Sequence, residues 1–282
     1  MNTFVNNTKT VLLMGALMGL FVWVGSFYGQ NGMIGALIFG GAVNVITWFF
    51  SDKIAVASMR GHEVHAGDPG IAGQLYAMVD RMRQRAGLPM PRVYVCPHEA
   101  PNAFATGRNP GHSAVAVTEG AVRLLDDQEL EGVLAHALAH IKNRDTLTSC
   151  VAATIAGVLA FLAQWGFMLG GGRGRDGSNP LFGFLAVIVG ALGAAIIRAM
   201  ISRSREYVAD ADGASIAGTP LGLASALRKL EAYSQRVPLH NPNPAMNNLF
   251  IVEPLTGTSL LNLFASHPPI EKRIAALMAS AR

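Results

Sequence analysis

The sequence predicts an α+β soluble domain attached to four transmembrane helices, and three observations predict this class. Only 14% of the 282 residues are charged, whereas roughly 25% is usual in soluble globular proteins. Charged residues are absent from three long runs, at 10–51, 146–172 and 177–197. The other segments show helical and β-rich patterns with an ordinary share of charge. The composition therefore indicates a chain that combines membrane-spanning segments with water-soluble segments.

The same composition excludes two other classes of protein. A hydrophobic content of 51% is too high for a disordered chain. The two cysteines, Cys96 and Cys150, are too few to form the several disulfides that stabilise a small secreted domain. We therefore expect the chain to bury its apolar side chains partly in protein and partly in lipid.

The charge-free runs are long enough for four membrane-spanning helices. A helix needs about 20 residues to cross roughly 30 Å of hydrocarbon, and it satisfies its own backbone groups there. The first run fits two such helices with a polar break between them, and the later runs flank a Gly/Arg-rich loop. The predicted spans are 11–28, 33–50, 147–169 and 181–201, with the break at 29–32 and the loop at 170–179.

The basic residues that flank these spans predict the orientation of the chain, because Lys and Arg are retained on the cytoplasmic side. Arg173 and Arg175 lie in the 170–179 loop, whereas a larger set lies at the opposite ends of the spans. We therefore expect both termini and both large polar segments to be cytoplasmic, where Cys96 and Cys150 stay reduced. The larger set is Lys9, Lys53, Arg60, Lys142, Arg144, Arg198, Arg203 and Arg205.

Two other interpretations of the apolar runs remain open. Residues 11–25 could be the core of a cleaved signal peptide, although a single basic residue precedes them and no clear cleavage site follows. The runs that begin at 147 and 181 could be buried helices of a soluble core, although each exceeds 18 residues without a charge. We adopt the transmembrane interpretation for all four spans.

Residue patterns predict five helices and three strands in the polar segments. Apolar residues recur every three to four positions in the predicted helices, and short alternating or β-rich runs mark the strands. Asp126 and the acids that follow it suit the positive N-terminus of the second helix. The predicted helices are 68–85, a long helix from 126, 202–216, 221–233 and 270–281, and the strands are 92–96, 102–106 and 113–118.

The membrane segments divide the soluble part of the chain in two. We predict a transmembrane hairpin at 1–50, the first part of the soluble domain at 51–146, a second hairpin at 147–201 and the second part of the domain at 202–282. Neither soluble part is long enough to bury a good core alone. We therefore expect the two parts to fold together as one discontinuous domain.

The long helix from Asp126 carries His136 and His140, four positions apart. Residues at this spacing lie on one helical face, about 5–6 Å apart at Cβ, so both imidazoles can reach one metal ion. A histidine pair at this spacing is common by chance in a chain with eight histidines. On spacing alone, two ordinary surface histidines are the better interpretation. The motifs around this pair and elsewhere in the sequence favour a metal site instead.

Four motifs in the same order resemble those of the HtpX-type membrane zinc endopeptidases, relatives of the CaaX prenyl proteases. The resemblance covers essentially the whole chain, including the placement of four spans. It implies a zincin-like (gluzincin) α+β metalloprotease domain on four transmembrane helices. The motifs are GVLAHALAHIKNRD at 132–145, SREYVADADG at 204–213, PNAFATG at 101–107 and SHPPIEKRI at 266–274.

The resemblance implies one zinc ion per chain, bound by His136, His140 and Glu206 with water in the fourth position. Two neutral imidazoles and one carboxylate leave the ion with a net positive charge. Such an ion can polarise a peptide carbonyl and acidify its bound water. Zinc is therefore the expected cofactor.

Three further residues take roles from the resemblance, and each has an ordinary alternative. Asp210 is expected to orient His136, although it could be a solvated helix acid. Asp145 could be a second such acid or a cap at the membrane surface. His267 is expected to stabilise the oxyanion of the tetrahedral intermediate, although a loop histidine that anchors the last helix is an equal alternative.

For the segment at 102–106, the resemblance implies an edge strand that lines the cleft. An extended substrate would pair with it through main-chain hydrogen bonds, which accept many sequences. The alternative is an ordinary edge strand. The predicted substrate-binding residues are Asn102, Ala103, Phe104, Ala105 and Thr106.

The sequence departs from the resemblance at Ala137, where the family has the Glu of a His-Glu-x-x-His motif. That Glu is the general base, which takes a proton from water and passes it to the leaving amine. Alanine does neither, whereas metal binding does not require the Glu. Because the neighbouring motif positions are intact, we interpret Ala137 as an engineered inactivating replacement, with a natural inactive homologue as the alternative.

The sequence therefore predicts a multi-pass membrane zinc endopeptidase, inactive in this form, whose site faces the cytoplasm. By resemblance, its role is stress-response quality control of misfolded proteins in a bacterial inner membrane. Its expected partners are protein or peptide substrates and the lipid bilayer, not nucleic acid, and the oligomeric state is left open. Rival classes are a pseudoprotease that acts as a zinc-binding adaptor and a small transporter, which the charge-free spans disfavour.

Overall fold

The computed structural model describes residues 2–26, 28–152, 203–234, 249–252 and 267–280. The helices, in chain order, are α1 (Asn2–Ser26), α2 (Gly29–Ser58), α3 (Ile71–Ala86), α4 (Glu119–Leu124), α5 (Asp127–Asn143), α6 (Arg203–Ala217), α7 (Leu221–Ser234) and α8 (Ile270–Ser280). The strands are β1 (His62–Val64), β2 (Arg92–Cys96), β3 (Ala103–Asn109) and β4 (His112–Thr118). Strand β1 lies between α2 and α3, and β2 to β4 lie between α3 and α4.

The first two helices, α1 and α2, pack against each other. Both are long and apolar enough to cross a membrane, over Val5–Ser26 and Gly29–Ser58. The predicted break at 29–32 is wrong, because these residues form the first turn of α2. A Cβ added to Gly32 would lie 2.4 Å from the Gly25 carbonyl oxygen, so only glycine permits this close approach at the hairpin end.

The third and fourth predicted spans lie outside the described residues, apart from a short helical stretch at 147–152. Within that stretch Leu147 and Val151 pack in one cluster with Leu13 and Leu17 of α1. The predicted loop at 170–179 is also outside the described part of the chain. The number of four transmembrane helices therefore stays a prediction.

The last two turns of α2 leave the apolar stretch and pack against the sheet. Ala55 and Val56, together with the following Met59, are buried in one cluster with Tyr94 of β2 and Phe104 of β3. The helix therefore continues past residue 50 without a break. This continuity fixes the sheet close to the end of a candidate membrane span.

The four strands form one sheet in the order β1, β2, β4, β3. Strands β2 and β4 are parallel, and the two outer pairs are antiparallel. All three predicted strands are present, with boundaries shifted by a few residues in β3. The sequence pattern does not predict β1, because three residues are too few to show alternation.

Helix α5 is the central helix of the part of the chain that packs around the sheet. It begins with a capping box, in which the Asp126 carboxylate accepts from the Glu129 N–H and the Glu129 carboxylate accepts from the Asp126 N–H. It ends at Asn143, because Arg144 adopts the left-handed conformation with φ of 54°. The apolar residues that recur at helical spacing along it are buried, and they are Leu130, Val133, Leu134, Leu138 and Ile141.

The core is built from both polar segments of the chain. Helix α5 contacts β3 and β4 of the sheet as well as α6 and α7. One hydrophobic cluster contains Val115 and Val133 from the first segment with Ala209, Leu227 and Ile274 from the second. The packing of α6 on α5 brings two of the four sequence motifs into contact.

Candidate metal centre

Helix α5 places His136 and His140 one turn apart with their rings in contact. The ring centroids are 4.6 Å apart, and the ring planes are nearly perpendicular. The Nε2 atoms of the two histidines are 3.0 Å apart. Both residues line one cleft, and His136 is buried. The two nitrogens therefore face one point in the cleft, which rules out a pair of independent surface histidines.

Helix α6 brings Glu206 to the same point. Its Oε2 lies 3.8 Å from Nε2 of His136, and its Oε1 lies 3.9 Å from Nε2 of His140. One ligand atom from each of the three residues lies within 4.8 Å of the others. The structure thus brings together the three side chains that the sequence predicts as metal ligands.

The buried carboxylate of Glu206 tests whether a cation fits this point. Glu206 is 3% exposed, and among the described residues its Oε2 accepts no hydrogen bond, while Nη2 of Arg273 lies 3.8 Å away. A buried ionised carboxylate is costly unless positive charge compensates it. Two imidazole nitrogens and one carboxylate oxygen are a donor set typical of catalytic zinc sites. The residues present therefore fit a zinc ion.

Each histidine of the pair has a carboxylate at its other ring nitrogen. Nδ1 of His136 lies 2.9 Å from Oδ1 of Asp210, and Nδ1 of His140 lies 3.0 Å from Oδ1 of Asp145. Both acids are 2% exposed, so neither is a solvated surface acid. A carboxylate at Nδ1 fixes the ring orientation and favours the tautomer whose Nε2 lone pair is available to a metal.

Burial and the surrounding charges shift the pKa values of the three candidate ligands in different directions. Burial, and then the neighbouring His140, lower the pKa of His136. Burial also lowers the pKa of His140, but the adjacent carboxylates raise it more, so it lies above its ordinary value. Burial raises the pKa of Glu206, but His267, His140 and Arg273 hold it well below its usual range. Glu206 is therefore ionised at neutral pH, as metal binding requires.

Close packing of α6 on α5 depends on Gly213. A Cβ added to Gly213 would lie 2.9 Å from both the N and the Cα of His136. Side-chain carbons do not approach a backbone this closely, so glycine is needed where the helices meet. Glu206, Asp210 and Gly213 follow helical spacing and share one face of α6, which turns both carboxylates towards His136.

We predict that Gly213→Ala destabilises the protein by about 1–3 kcal/mol, because the added methyl group forces two backbones apart. Zinc content should fall as well, since Glu206 moves away from the histidines. Thermal unfolding and metal analysis of the detergent-solubilised protein measure both effects. Gly19→Ala is the matched control, because a Cβ added there meets no atom within 4 Å. Equal unfolding midpoints for the two variants would contradict the packing argument.

Arg273 is a buried residue to which sequence reasoning assigned no role. It is 0% exposed, and it donates from Nε to Oδ2 of Asp210 at 2.9 Å and from Nη2 to Oδ1 at 2.7 Å. Its Nη1 donates to the Ile251 carbonyl oxygen at 2.9 Å. Burial raises the pKa of Asp210, but the hydrogen bonds from Arg273 and the close approach of His136 lower it to about 2. Arg273 thus holds Asp210 ionised beside His136.

The sequence contained a weak signal for Arg273. Ile270, Ile274 and Leu277 are the buried apolar positions of α8, and Arg273 lies on the same face at helical spacing. A charged residue on an otherwise apolar helix face requires a buried partner. The partner, Asp210, lies far away along the chain, so the pattern alone does not name it.

His267 lies just before α8 and faces the same cleft. Its Nε2 is 3.5 Å from Oε2 of Glu206. The side chain is 10% exposed, and the residue lines the cleft with the histidine pair. The position is compatible with a donor near reacting groups, and the predicted oxyanion role stays a prediction.

Ala137 lies in the wall of this cleft, between the two histidines in sequence. It is 4% exposed, and its methyl group offers no proton acceptor. The cleft is also lined by Asp145, Glu206 and His267. A side chain at position 137 is therefore placed next to the candidate metal centre.

Strand β3 forms one wall of the cleft through Ala103, Phe104 and Ala105. Its outer edge is already partly paired with residues 249–252. The Ile251 N–H donates to the Ala103 carbonyl oxygen at 3.1 Å, and Phe104 forms an antiparallel bridge with Phe250. The rings of Phe104 and Phe250 make an edge-to-face contact with centroids 5.8 Å apart.

The five predicted substrate-binding residues therefore differ in their surroundings. The Asn102 side chain donates to the Val252 carbonyl oxygen at 2.8 Å, and Thr106 Oγ1 lies 3.0 Å from Cys150 Sγ. Both side chains are buried in contacts within the protein. Since alternate residues of a strand present their main-chain groups to the same edge, Ala105 faces the same edge as Ala103, which residues 249–252 already partly cover.

Known proteins are similar to this chain in sequence and in fold. The sequence pattern of Peptidase family M48 matches residues 70–281. A protein described as a protease HtpX homolog, from Desulforapulum autotrophicum, is 49% identical over 279 residues, which cover 96% of this chain and 89% of the relative. Another, from Nostoc punctiforme, is 48% identical and covers 97% of this chain and 96% of the relative.

Ste24p from S. mikatae is similar in structure, with a TM-score of 0.55 and 17% sequence identity. The match covers 97% of this chain and 65% of the Ste24p chain. At this identity the similarity establishes the fold alone.

An α+β fold with two apolar N-terminal helices and a His–His–Glu donor group defines a membrane-associated metalloprotease class. This chain belongs to Peptidase family M48, in the group of the HtpX homologues. The resemblance seen in the sequence motifs is thereby confirmed. The comparisons do not bear on the replacement at Ala137.

Proposed function

We propose that this protein is a zinc-dependent endopeptidase of the cytoplasmic membrane surface whose hydrolytic step is disabled at Ala137. The observation that carries the proposal is the convergence of His136, His140 and Glu206 in one cleft. That cleft is bordered by an edge strand, which suits an extended peptide. Membership of Peptidase family M48 supports the reaction class.

His136, His140 and Glu206 would hold the zinc ion. When bound, zinc polarises a peptide carbonyl and lowers the pKa of a bound water. Asp210 keeps His136 in one orientation, and Asp145 does the same for His140. The contacts to these two acids keep both Nε2 atoms directed at the metal position.

Two groups would act on the substrate itself. The part of the β3 edge that residues 249–252 leave open would pair with an extended peptide. His267 would donate to the oxygen that becomes negative when the peptide carbonyl is attacked. Main-chain pairing places few demands on side chains, so the proposed substrates are unfolded loops and tails rather than one defined sequence.

The membrane segments would determine which proteins reach the cleft. Helix α2 continues from a candidate span directly into the sheet. We therefore propose a multi-pass protein of a bacterial inner membrane, with a discontinuous peptidase domain on the cytoplasmic side. Misfolded or damaged membrane proteins are the proposed substrates, and their removal is a quality-control function.

Ala137 would interrupt the chemistry at one step. The motif places a general base at this position, and a methyl group accepts no proton. The described donor group is otherwise complete, which supports an engineered replacement in a functional site. If position 137 is natural instead, the same site would serve a zinc-binding adaptor that holds unfolded segments without cutting them.

Metal analysis tests the proposed ligands directly. We expect about one zinc per chain in the purified full-length protein and a loss of affinity of at least about tenfold in Glu206→Gln, since even an outer partner of a ligand contributes 10–100-fold. Glu131→Gln is the matched control, because Glu131 forms a surface ion pair with Arg81. Zinc retained undiminished in Glu206→Gln would remove the third ligand and the proposal with it.

A further inference from the structure

A second cavity lies away from the metal centre, where α2 meets the sheet. It is an open groove of about 420 Å³. None of its lining residues belongs to the metal-centre cleft. The lining residues that the argument uses are Phe49, Phe50, Lys53, Arg92 and Arg108, with Asp52 as the one acid among those described.

The lower part of this groove is aromatic and faces outward. Phe49 is 52% exposed and Phe50 is 45% exposed, and both belong to the candidate span Gly29–Ser58. They are the last apolar residues of α2 before the charged Asp52 and Lys53, so their exposed rings mark the boundary between the apolar part of this span and its charged end. The groove is therefore open towards lipid at the depth where headgroups begin.

The upper part of the groove is cationic. Lys53 follows Phe49 by one helical turn, and its Nζ lies 5.6 Å from the Phe50 ring centroid. The Arg108 guanidinium lies over the Phe49 ring, 4.9 Å from its centroid. A stacked guanidinium keeps its in-plane N–H groups available for an anion, because stacking uses only its face.

One of the three cations is already neutralised. Arg92 forms an ion pair with Asp52, which is buried. Lys53 and Arg108 are left as the excess positive charge of the groove. Two cations above two exposed aromatic rings match a negatively charged group that is joined to an apolar chain.

We propose that this groove binds the phosphate headgroup of an anionic phospholipid, held by Lys53 and Arg108 with the acyl chains against Phe49 and Phe50. A soluble phosphate would use the cations but make no contact with the exposed surface of the two rings, whereas an acyl chain would cover it. The volume suits one headgroup. The proposal depends on membrane insertion of α2 and is independent of catalysis.

Binding to the full-length detergent-solubilised protein tests the site. Native mass spectrometry would count bound phosphatidylglycerol against phosphatidylcholine with the same acyl chains. We expect preferential retention of phosphatidylglycerol, and in the double variant K53Q/R108Q a loss of affinity of about 25-fold, or roughly fivefold for each charge removed. Arg108→Lys should retain most of the affinity, because it keeps the charge.

A matched control separates this site from general surface attraction. Lys142→Gln removes one exposed charge from the predicted cytoplasmic face but lies outside the groove. We expect it to bind phosphatidylglycerol as the unmodified protein does. Folding of every variant is checked by its thermal unfolding midpoint, which should not move because Lys53 and Arg108 are not buried.

Three results would overturn the proposal. Equal binding of the two lipids would show that the phosphate diester charge is not selected. A loss of phosphatidylglycerol affinity of about fivefold in Lys142→Gln, the same loss per charge as in K53Q/R108Q, would show diffuse attraction. Binding of inorganic phosphate that matches phosphatidylglycerol in affinity would assign the groove to a soluble anion.

Discussion

Ala137→Glu is expected to raise the rate of peptide hydrolysis by about two to four orders of magnitude. Position 137 lies in the wall of the cleft next to His136 and His140. A carboxylate there would take a proton from the attacking water and deliver it to the leaving amine. The rest of the donor group is already in place, so one side chain should supply the missing step.

The measurement is cleavage of an unfolded polypeptide by the full-length, zinc-loaded variant in detergent. Self-cleavage, followed by gel electrophoresis, provides a second readout. Ala137→Gln is the matched control, since it has nearly the same shape as Glu but accepts no proton at neutral pH. We expect Ala137→Gln to bind zinc and remain as slow as the unmodified chain.

The outcome also decides between the two proposed functions. Zinc-loaded Ala137→Glu that cleaves neither itself nor an unfolded substrate would exclude the protease proposal for this chain. The adaptor function would then be the one left, because zinc binding alone is unaffected. Equal activity of the Glu and Gln variants would instead show that the side chain acts by shape and not by proton transfer.

The candidate site could be predicted from sequence because its main parts are local. His136 and His140 belong to one helical face, and Glu206 belongs to a second motif with its own helical spacing. Periodicity therefore predicts two helices, and the family resemblance predicts that they meet. What joins them, the contact of Gly213 with the His136 backbone, depends on tertiary packing that a single sequence does not display.

Other features of the fold depend on interactions that the sequence pattern cannot reveal. The sequence predicts the hairpin break at the polar residues 29–32, whereas Gly25 and Gly32 allow α2 to begin earlier. Residues 249–252 pair with β3 although they are too few to form a recognisable strand. Arg273 is the most important buried residue that the sequence pattern does not identify, because its function requires a partner on another helix.

Arg273→Met is expected to destabilise the protein by about 3–5 kcal/mol at neutral pH. The substitution leaves the Asp210 carboxylate buried and without its main cationic partner. It also removes the hydrogen bond to the Ile251 carbonyl oxygen, which secures the segment beside β3. Unfolding of the detergent-solubilised protein measures the loss, and Arg81→Met, which breaks a surface ion pair, should cost no more than about 1 kcal/mol.

The pH dependence distinguishes this charge effect from a simple loss of packing. The pKa of Asp210 is about 2, below its ordinary value of 3.8, so the pair stabilises the folded state above pH 3.8, and this contribution is lost as the pH falls towards 2. Without Arg273 the pKa of Asp210 rises, and protonation then relieves the buried charge. The penalty of Arg273→Met should therefore shrink between pH 7 and about pH 4. A penalty that stays constant across this range would show that Arg273 acts by filling space.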